Sequence, residues 1–539
     1  MPLGVRSVPA AAPIVRLTRS ARAAQRPSSA LAVVLLAVAG LLGALAIGFL
    51  AGLGSLLLLA PLLAIGGVLA LLFIPLQWSV WLLLMLSVLV VGPAIYFASI
   101  DSARWLAPAL ALALVFPYLI RLLGRAPQRE STTTLPWFFI WYLLFVAFLA
   151  FSSALSDPRL AELLLSTRVY LAYIPLGFVL LSGFIDERAQ ARMWKFLMGC
   201  AVLQVPFVAY QAFVVAPSRA RQGAIWDAVV GTFPGNAESG GANAAMSLFT
   251  LVCCVVAISM WRRGTLRTWQ MLAVSLSSFA VILMGEVKAI VLLTPVALGL
   301  LYIKDLARRP GRSLAGIMVG IAVMAAAFAV YDRVYYGDRE ADWRNAQRPV
   351  TAFDSIGNQL NPSLEARGAI MGRMATFADW ADRNITAEHG IHALLGYGAG
   401  STQFGRLGVG EVAERLTYRA DITATGLLLW DSGIVGHLLV VLSFAAAAIA
   451  AYRLAGVEVV PTTHRAILEA VAIAMVLYLL CLPYKDFMFR TAPSQVLLFF
   501  MLGYIGYWQR MAARSTNSRG AVVAGRVRSA LGSSFPGYR

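Results

Sequence analysis

Residues able to hold an anion recur along a chain that is otherwise mostly apolar. Glu286 and Lys288 interrupt a hydrophobic stretch running from Met271 to Leu301. Ionisable groups inside such stretches are costly to keep and mark candidate sites. Lys288 facing an inward cavity would contact an anionic head group, with Glu286 holding it in place. The alternative is a tight outer turn whose charges reach water. Arg168 follows Arg159 and Glu162 at the start of another apolar run. It is either a site residue or an interfacial anchor that snorkels to the head groups. Arg219 and Arg221 precede a glycine-rich run from Gly231 to Asn243, and Lys485, Asp486 and Arg490 cluster farther on, as an anchor or as a site. Guanidinium groups grip phosphate oxygens bidentately and stay charged at any relevant pH, so several converging on one cavity suit a diphosphate.

The segment from Arg333 to Ile422 adds Arg367, Arg373, Arg383, His389, His392, Arg415, Tyr418, Arg419 and Asp421. His389 and His392, three apart, would share a helix face, but no carboxylate or cysteine accompanies them at metal spacing, so no metal is expected. A surface histidine is the default for each, and a general base is the sharper reading. His437, beside Gly433 and Gly436, reads as a helix-packing residue. The four cysteines (Cys200, Cys253, Cys254 and Cys481) fall in apolar segments and read as small buried hydrophobes.

The elements that must position these residues are membrane helices. Of the 539 residues, 60% are hydrophobic and 13% charged, and the mean hydropathy is +0.75. A soluble domain needs more charge to cover its surface. The apolar runs are continuous rather than alternating, which excludes a β-barrel. Candidate spans are 31–50, 54–74, 78–98, 103–122, 136–154, 169–185, 196–215, 243–260, 269–285, 288–303, 314–332, 423–452, 466–482 and 492–509. The expected fold is therefore an all-α polytopic membrane protein of about 14 transmembrane helices (12–14).

Charge orients it. The net charge of +18 suggests nucleic acid at first sight, but the arginines are dispersed between apolar spans rather than gathered on a soluble module. With both termini cytoplasmic, 26 of the 44 Lys and Arg residues fall in the tails and inner loops, among very few acids. That is the positive-inside pattern. Five arginines from Arg6 to Arg26 precede the first span without a small-residue cleavage site, which reads as an uncleaved tail. The expected organisation is a basic tail (1–29), helices 1–11 (30–332), a large outer loop (333–422), helices 12–14 (423–510) and a basic disordered tail held near anionic lipid (511–539). The outer loop looks ordered, because Ile370, Met374, Phe377 and Trp380 have helical spacing. A second short helix is expected over 385–395, closed by the turn Gly396-Tyr397-Gly398-Ala399-Gly400.

These motifs, taken in order, resemble those of the O-antigen polymerase/ligase superfamily. Gly231-Thr232-Phe233 with Asn236 resembles its GTF…N segment, and Gly285-Glu286-Val287-Lys288-Ala289 its short Ser-Arg-Gly-like turn, with Lys in place of Arg. Arg373, the following helix and Leu395 to Ser401 resemble its Arg…helix…GYGPG stretch, and Asp421 to Gly436 its re-entry helix. The match covers roughly 230–450. The resemblance implies a GT-C-like, cofactor-free, metal-independent glycosyltransferase in a bacterial inner membrane, with its site facing the periplasm. Its partners would be undecaprenyl-diphosphate-linked donor and acceptor glycans, membrane lipids, a chain-length regulator and a flippase, and no nucleic acid. Lys288, Arg373, Arg168, Arg221 and Arg419 would bind the lipid diphosphate. Ligases carry a His-Asn pair where this chain has Tyr418-Arg419-Ala420-Asp421, which favours a polymerase of repeat units over a ligase. Asp421 becomes the candidate base, catalytic with Arg373 and Lys288, while Glu286, His389 and Tyr418 support them. A transporter or flippase is the reading from a different class, though no repeated halves are visible.

Overall fold

The computed structural model describes residues 71–124, 135–218, 225–238, 240–308, 372–386, 390–405 and 408–532, with isolated positions elsewhere. The expected spans 31–50, most of 54–74 and nearly all of 314–332 lie outside the described residues, as do Arg219, Arg221, Arg367 and His389. The chain divides into Met1–Phe73 and Ile74–Arg539. Only a few residues of the first unit are described, and they are helical.

The second unit is helical too. Among the described residues, eight helices are long and apolar enough to cross a membrane: α1 (Leu76–Tyr96), α2 (Asp101–Leu123), α3 (Trp137–Ser156), α4 (Leu160–Leu181), α5 (Glu187–Ser218), α6 (Asn243–Arg262), α12 (Ala424–Leu454) and α13 (Thr462–Cys481). Between α6 and α12 come α7 (Thr268–Met284), α8 (Lys288–Arg308), α9 (Arg373–Ala381), α10 (Gly390–Leu395) and α11 (Glu411–Arg415). After α13 follow α14 (Phe487–Arg490) and α15 (Ala492–Gly532). Two short antiparallel pairs complete the described residues, β1 (Gly235–Asn236) with β2 (Gly240–Gly241) and β3 (Phe404–Gly405) with β4 (Gly408–Val409).

Three differences from the sequence expectations have physical causes. Helix α4 begins at Leu160 rather than near 169, because the Glu162 carboxylate accepts from the Arg159 N–H at 2.9 Å in a capping box. Arg168 is thus carried inside the helix instead of opening it. Helix α5 begins at Glu187, capped by the Asp186 carboxylate on the Ala189 N–H at 2.6 Å. The tail beyond Arg514, expected to be disordered, continues α15 to Gly532, since no proline interrupts it before Pro536.

Helix α6 is the central post, buried on nearly every face. Around it pack α5, α7 and α13, while α12 lies between α3 and α13 and α15 runs along α4. The α4–α15 contact relies on small residues: a Cβ at Gly503 would sit 2.7 Å from the Gly177 carbonyl oxygen. The segment between α8 and α12 has its own small core, built from Trp380, Ala393, Val412, Leu416 and Tyr418 against Leu429 and Trp430 of α12. Glu162 ties this segment to α4 by accepting from the Glu411 N–H at 2.9 Å.

Four π turns occur among the described residues, at Leu86–Val90, Thr167–Leu171, Gln211–Val215 and Asp382–Thr386. Such turns break the regular backbone ladder and gather at functional sites. In each of them a carbonyl of the turn takes a side-chain donor. Val88 O accepts from Thr232 Oγ1 at 2.6 Å, which draws the Gly231-Thr232-Phe233 loop against α1. Gly92 allows the approach, because a Cβ there would lie 2.0 Å from the Thr232 carbonyl oxygen.

Candidate functional site

One end of the helix bundle holds a cavity of about 250 Å3, whose wall includes Arg104, Arg168, Arg419, Lys485 and Arg490. Asp486 is the one acidic residue among the described lining residues. Ala244 and Ala245, in the first turn of α6, complete the wall with Pro234 and Gly241 of the glycine-rich run. A helix N-terminus carries partial positive charge on its unpaired N–H groups. The wall therefore combines five cationic side chains with the positive end of a buried helix. Sites for whole drug-sized ligands occupy ~300–1,000 Å3, so this one suits a compact anionic group with the rest of the ligand outside.

The cations are graded from mouth to floor. Side chains of Arg104 and Arg419 are 46% and 49% exposed, against 19% for Arg490. Arg104 pairs with Asp101 at 2.9 Å. Arg168 lies with its guanidinium carbon 5.1 Å from the centre of the Trp105 ring, and no carboxylate among the described residues pairs with it. Arg490 forms ion pairs with Asp421 and, at 3.1 Å, with Asp486. Asp421 also takes Arg419 at 3.1 Å.

Burial and these neighbours shift the ionisable groups outside the spanning helices. Burial pushes the Asp421 carboxyl up, but Arg490 and Arg419 outweigh it and hold it below the usual range. Burial also raises Asp486, and there the opposing arginine does not prevail. Burial lowers the Lys485 ammonium despite nearby Asp486 and Asp227. An anion bound beside Lys485 would favour its charged form.

The loop that supplies Pro234 is wired from below by two buried glutamines of α5. Gln211 Oε1 accepts from the Val230 and Gly231 N–H groups at 2.8 and 2.6 Å, and Gln204 Oε1 accepts from Thr232 N–H at 2.8 Å. Gln211 Nε2 donates to Gly231 O at 2.9 Å. Buried backbone groups with these partners hold the loop in one shape.

Of the residues singled out in the sequence, the structure brings Arg168, Arg419, Lys485, Asp486 and Arg490 to this cavity. Asp421 stands directly behind it, fully buried, with both oxygens engaged. Arg373, on α9, stacks 4.1 Å above the ring of Tyr484, the neighbour of Lys485. Tyr418 is buried and donates to Asp379 rather than to the cavity. Lys288 lies 3.8 Å from Glu286 and is not part of the cavity wall. Its turn nevertheless packs against α6, since a Cβ on Gly285 would meet Ser247 Oγ of that helix at 3.3 Å. Glu286 adopts a φ of 52°, unusual for a residue with a side chain. His392 stacks on Tyr397 with ring centres 4.2 Å apart, and its Nδ1 lies 3.0 Å from Gly396 O, to which it donates. No cluster of three or more metal-ligating side chains occurs among the described residues.

Sequence reasoning missed Arg104, absorbed into an expected span, and Asp431. The Asp431 carboxylate is fully buried within α12. It accepts from Tyr170 Oη at 2.9 Å, the Gly400 N–H at 3.1 Å, Ser401 Oγ at 2.9 Å and Thr402 Oγ1 at 3.2 Å. It thereby clamps the glycine-rich turn 396–402 onto α12 and α4. A lone acid inside an apolar run was the available signal. No family model matches the chain, and neither does any curated protein.

Proposed function

We propose that the chain is a membrane glycosyltransferase that uses a lipid-diphosphate-linked glycan as donor. Its more specific form is a polymerase of undecaprenyl-diphosphate-linked repeat units on the periplasmic face of a bacterial inner membrane. The observation that carries the reading is the five-cation cavity closed by the N-terminus of α6. The order of motifs resembling the polymerase/ligase superfamily supports it independently. So does the expected topology of about fourteen spans with cytoplasmic termini. It assigns the basic loops at 186–195 and 261–268 to the inner side and the glycine-rich run to the outer side.

In this reading the donor diphosphate sits in the cavity, its lipid and sugar leaving through the mouth. The acceptor hydroxyl oxygen bonds to the anomeric carbon as the bond from that carbon to the diphosphate oxygen breaks. The electron pair departs with the diphosphate, where Arg168, Arg419 and Lys485 stabilise the growing charge. The hydroxyl proton goes to a carboxylate. Asp421 is sealed behind its two arginines, whereas Asp486 lies on the cavity wall with a raised pKa, which makes Asp486 the better acceptor. The lipid diphosphate is its own leaving group, so no nucleotide enters.

Purified protein incubated with a lipid-linked repeat unit, without any ion gradient, should elongate it into a ladder. Single units unchanged after incubation would remove the polymerase reading. Transfer of preformed polymer to a lipid A-core acceptor instead would make the protein a ligase.

A further inference from the structure

Arg168 and Arg490 reach the cavity from elements far apart in the chain, and one buried side chain joins the backbone of Arg168 to that of Phe489, the neighbour of Arg490. Gln495, in the first turn of α15, is 2% exposed and does not line the cavity. Its Nε2 donates to Arg168 O at 3.2 Å, Val169 O at 2.8 Å and Phe489 O at 2.5 Å. An amide nitrogen has two hydrogens, so one is shared between carbonyls.

Those carbonyls need an outside donor for a local reason. Arg168 and Val169 lie in the π turn Thr167–Leu171, where the backbone ladder is broken. Pro175 follows and has no N–H to give Leu171 O or, in the π register, Tyr170 O. The next carbonyl, Tyr170 O, takes the Tyr142 hydroxyl at 2.9 Å. Three consecutive carbonyls are thus held by side chains from α15 and α3. On the other side, Phe489 O belongs to the short helix α14 that ends in Arg490.

We propose that Gln495 is a positioning residue for the anion cavity, fixing the π turn that presents Arg168 to the short helix that presents Arg490. The proposal rests on the reading of the cavity as a diphosphate site. Serine or threonine would be too short to span both backbones. Lysine would bury a charge, and glutamate would aim oxygen lone pairs at three carbonyls.

A double-mutant cycle on the full-length protein in detergent, titrated with inorganic pyrophosphate, tests it. Gln495→Met keeps the length of the side chain and removes its donors. It should weaken pyrophosphate binding about tenfold in the wild-type background and less than about threefold in Arg168→Gln, as coupled neighbours behave. A purely structural role would lower the melting temperature yet leave affinity per folded molecule unchanged, which would overturn the proposal. Equal losses in both backgrounds would overturn it as well. Should the methionine variant fail to fold, Gln495→His, which keeps one ring N–H, goes through the same cycle and should show a smaller coupled loss. Absence of pyrophosphate binding by the wild type would instead sink the cavity reading, and this proposal with it.

Discussion

At the scale of single residues, two neighbouring carboxylates are set apart by what faces them. Asp421 forms ion pairs with two arginines and is sealed from solvent, while Asp486 shares one of them at the cavity wall. Removing a buried ion-pair partner leaves an uncompensated charge and costs about 3–5 kcal/mol. Asp421→Asn is therefore expected to lower stability far more than turnover per folded molecule, and Asp486→Asn to do the reverse, as thermal unfolding read beside activity will show. Equal effects on turnover would return Asp421 to the role of base. The pH dependences differ in sign. The folded state holds Asp421 below its ordinary value, so its contribution to stability is present above about pH 4 and lost as pH falls through the lowered pKa. Asp486 is raised, so it acts as a base only once pH climbs past a value above the ordinary 3.8. The rate should rise with pH through that inflection, and Asp486→Asn should abolish the limb.

At the scale of elements, helix α12 is two helices joined at a break. Gly433 has φ 62° and ψ −168°, and a Cβ there would lie 2.3 Å from Leu394 O. The break brings the 396–402 turn alongside, with the Tyr397 N–H on Trp430 O at 2.8 Å and the Gly398 N–H on Asp431 O at 3.1 Å. Gly433→Ala should destabilise the protein by about 1–3 kcal/mol through strain and the lost approach. Asp431→Leu should free residues 396–402 to limited proteolysis, because it strands the hydroxyls of Tyr170, Ser401 and Thr402. Unchanged cleavage would show that the turn is held by something else. The spans α1, α3 and α6 were legible in the sequence because hydrocarbon thickness sets their length. The start of α4 was missed although its Glu162 cap is local, because Arg159 is not a usual N-cap residue. The π turns were not legible, since carbonyl donors such as Gln495 and Thr232 are tertiary facts. The same limit applies to the site. Arg168 and Arg419 could be singled out as rare charges at apolar edges, but their meeting with Arg104 and Arg490 depends on helix packing. Lys288 was singled out by the same rule and lies apart from the cavity.

At the scale of the whole molecule, orientation is the quantity that decides which compartment the cavity serves. All four cysteines are buried, so an introduced thiol reports with little background. Cysteine in place of exposed Glu238, in the glycine-rich run, should react with a membrane-impermeant reagent on intact cells. Cysteine in place of exposed Arg267, between α6 and α7, should react only after permeabilisation. The opposite pattern would invert the proposed topology.

The docking of turn 396–402 onto α12 also bears on how the protein is made. The receptor for that turn lies C-terminal to it, so the turn cannot dock until Trp430, Asp431 and Gly433 have followed it out of the ribosome. Until α12 is threaded into the bilayer, the donors of Gly400, Ser401 and Thr402 have only water for company. A released chain ending at Ile422 would lack the partners that Gly400, Ser401 and Thr402 find on α12. Closure of the turn thus depends on a late helix, and chains truncated before it should be cut by protease where finished ones resist.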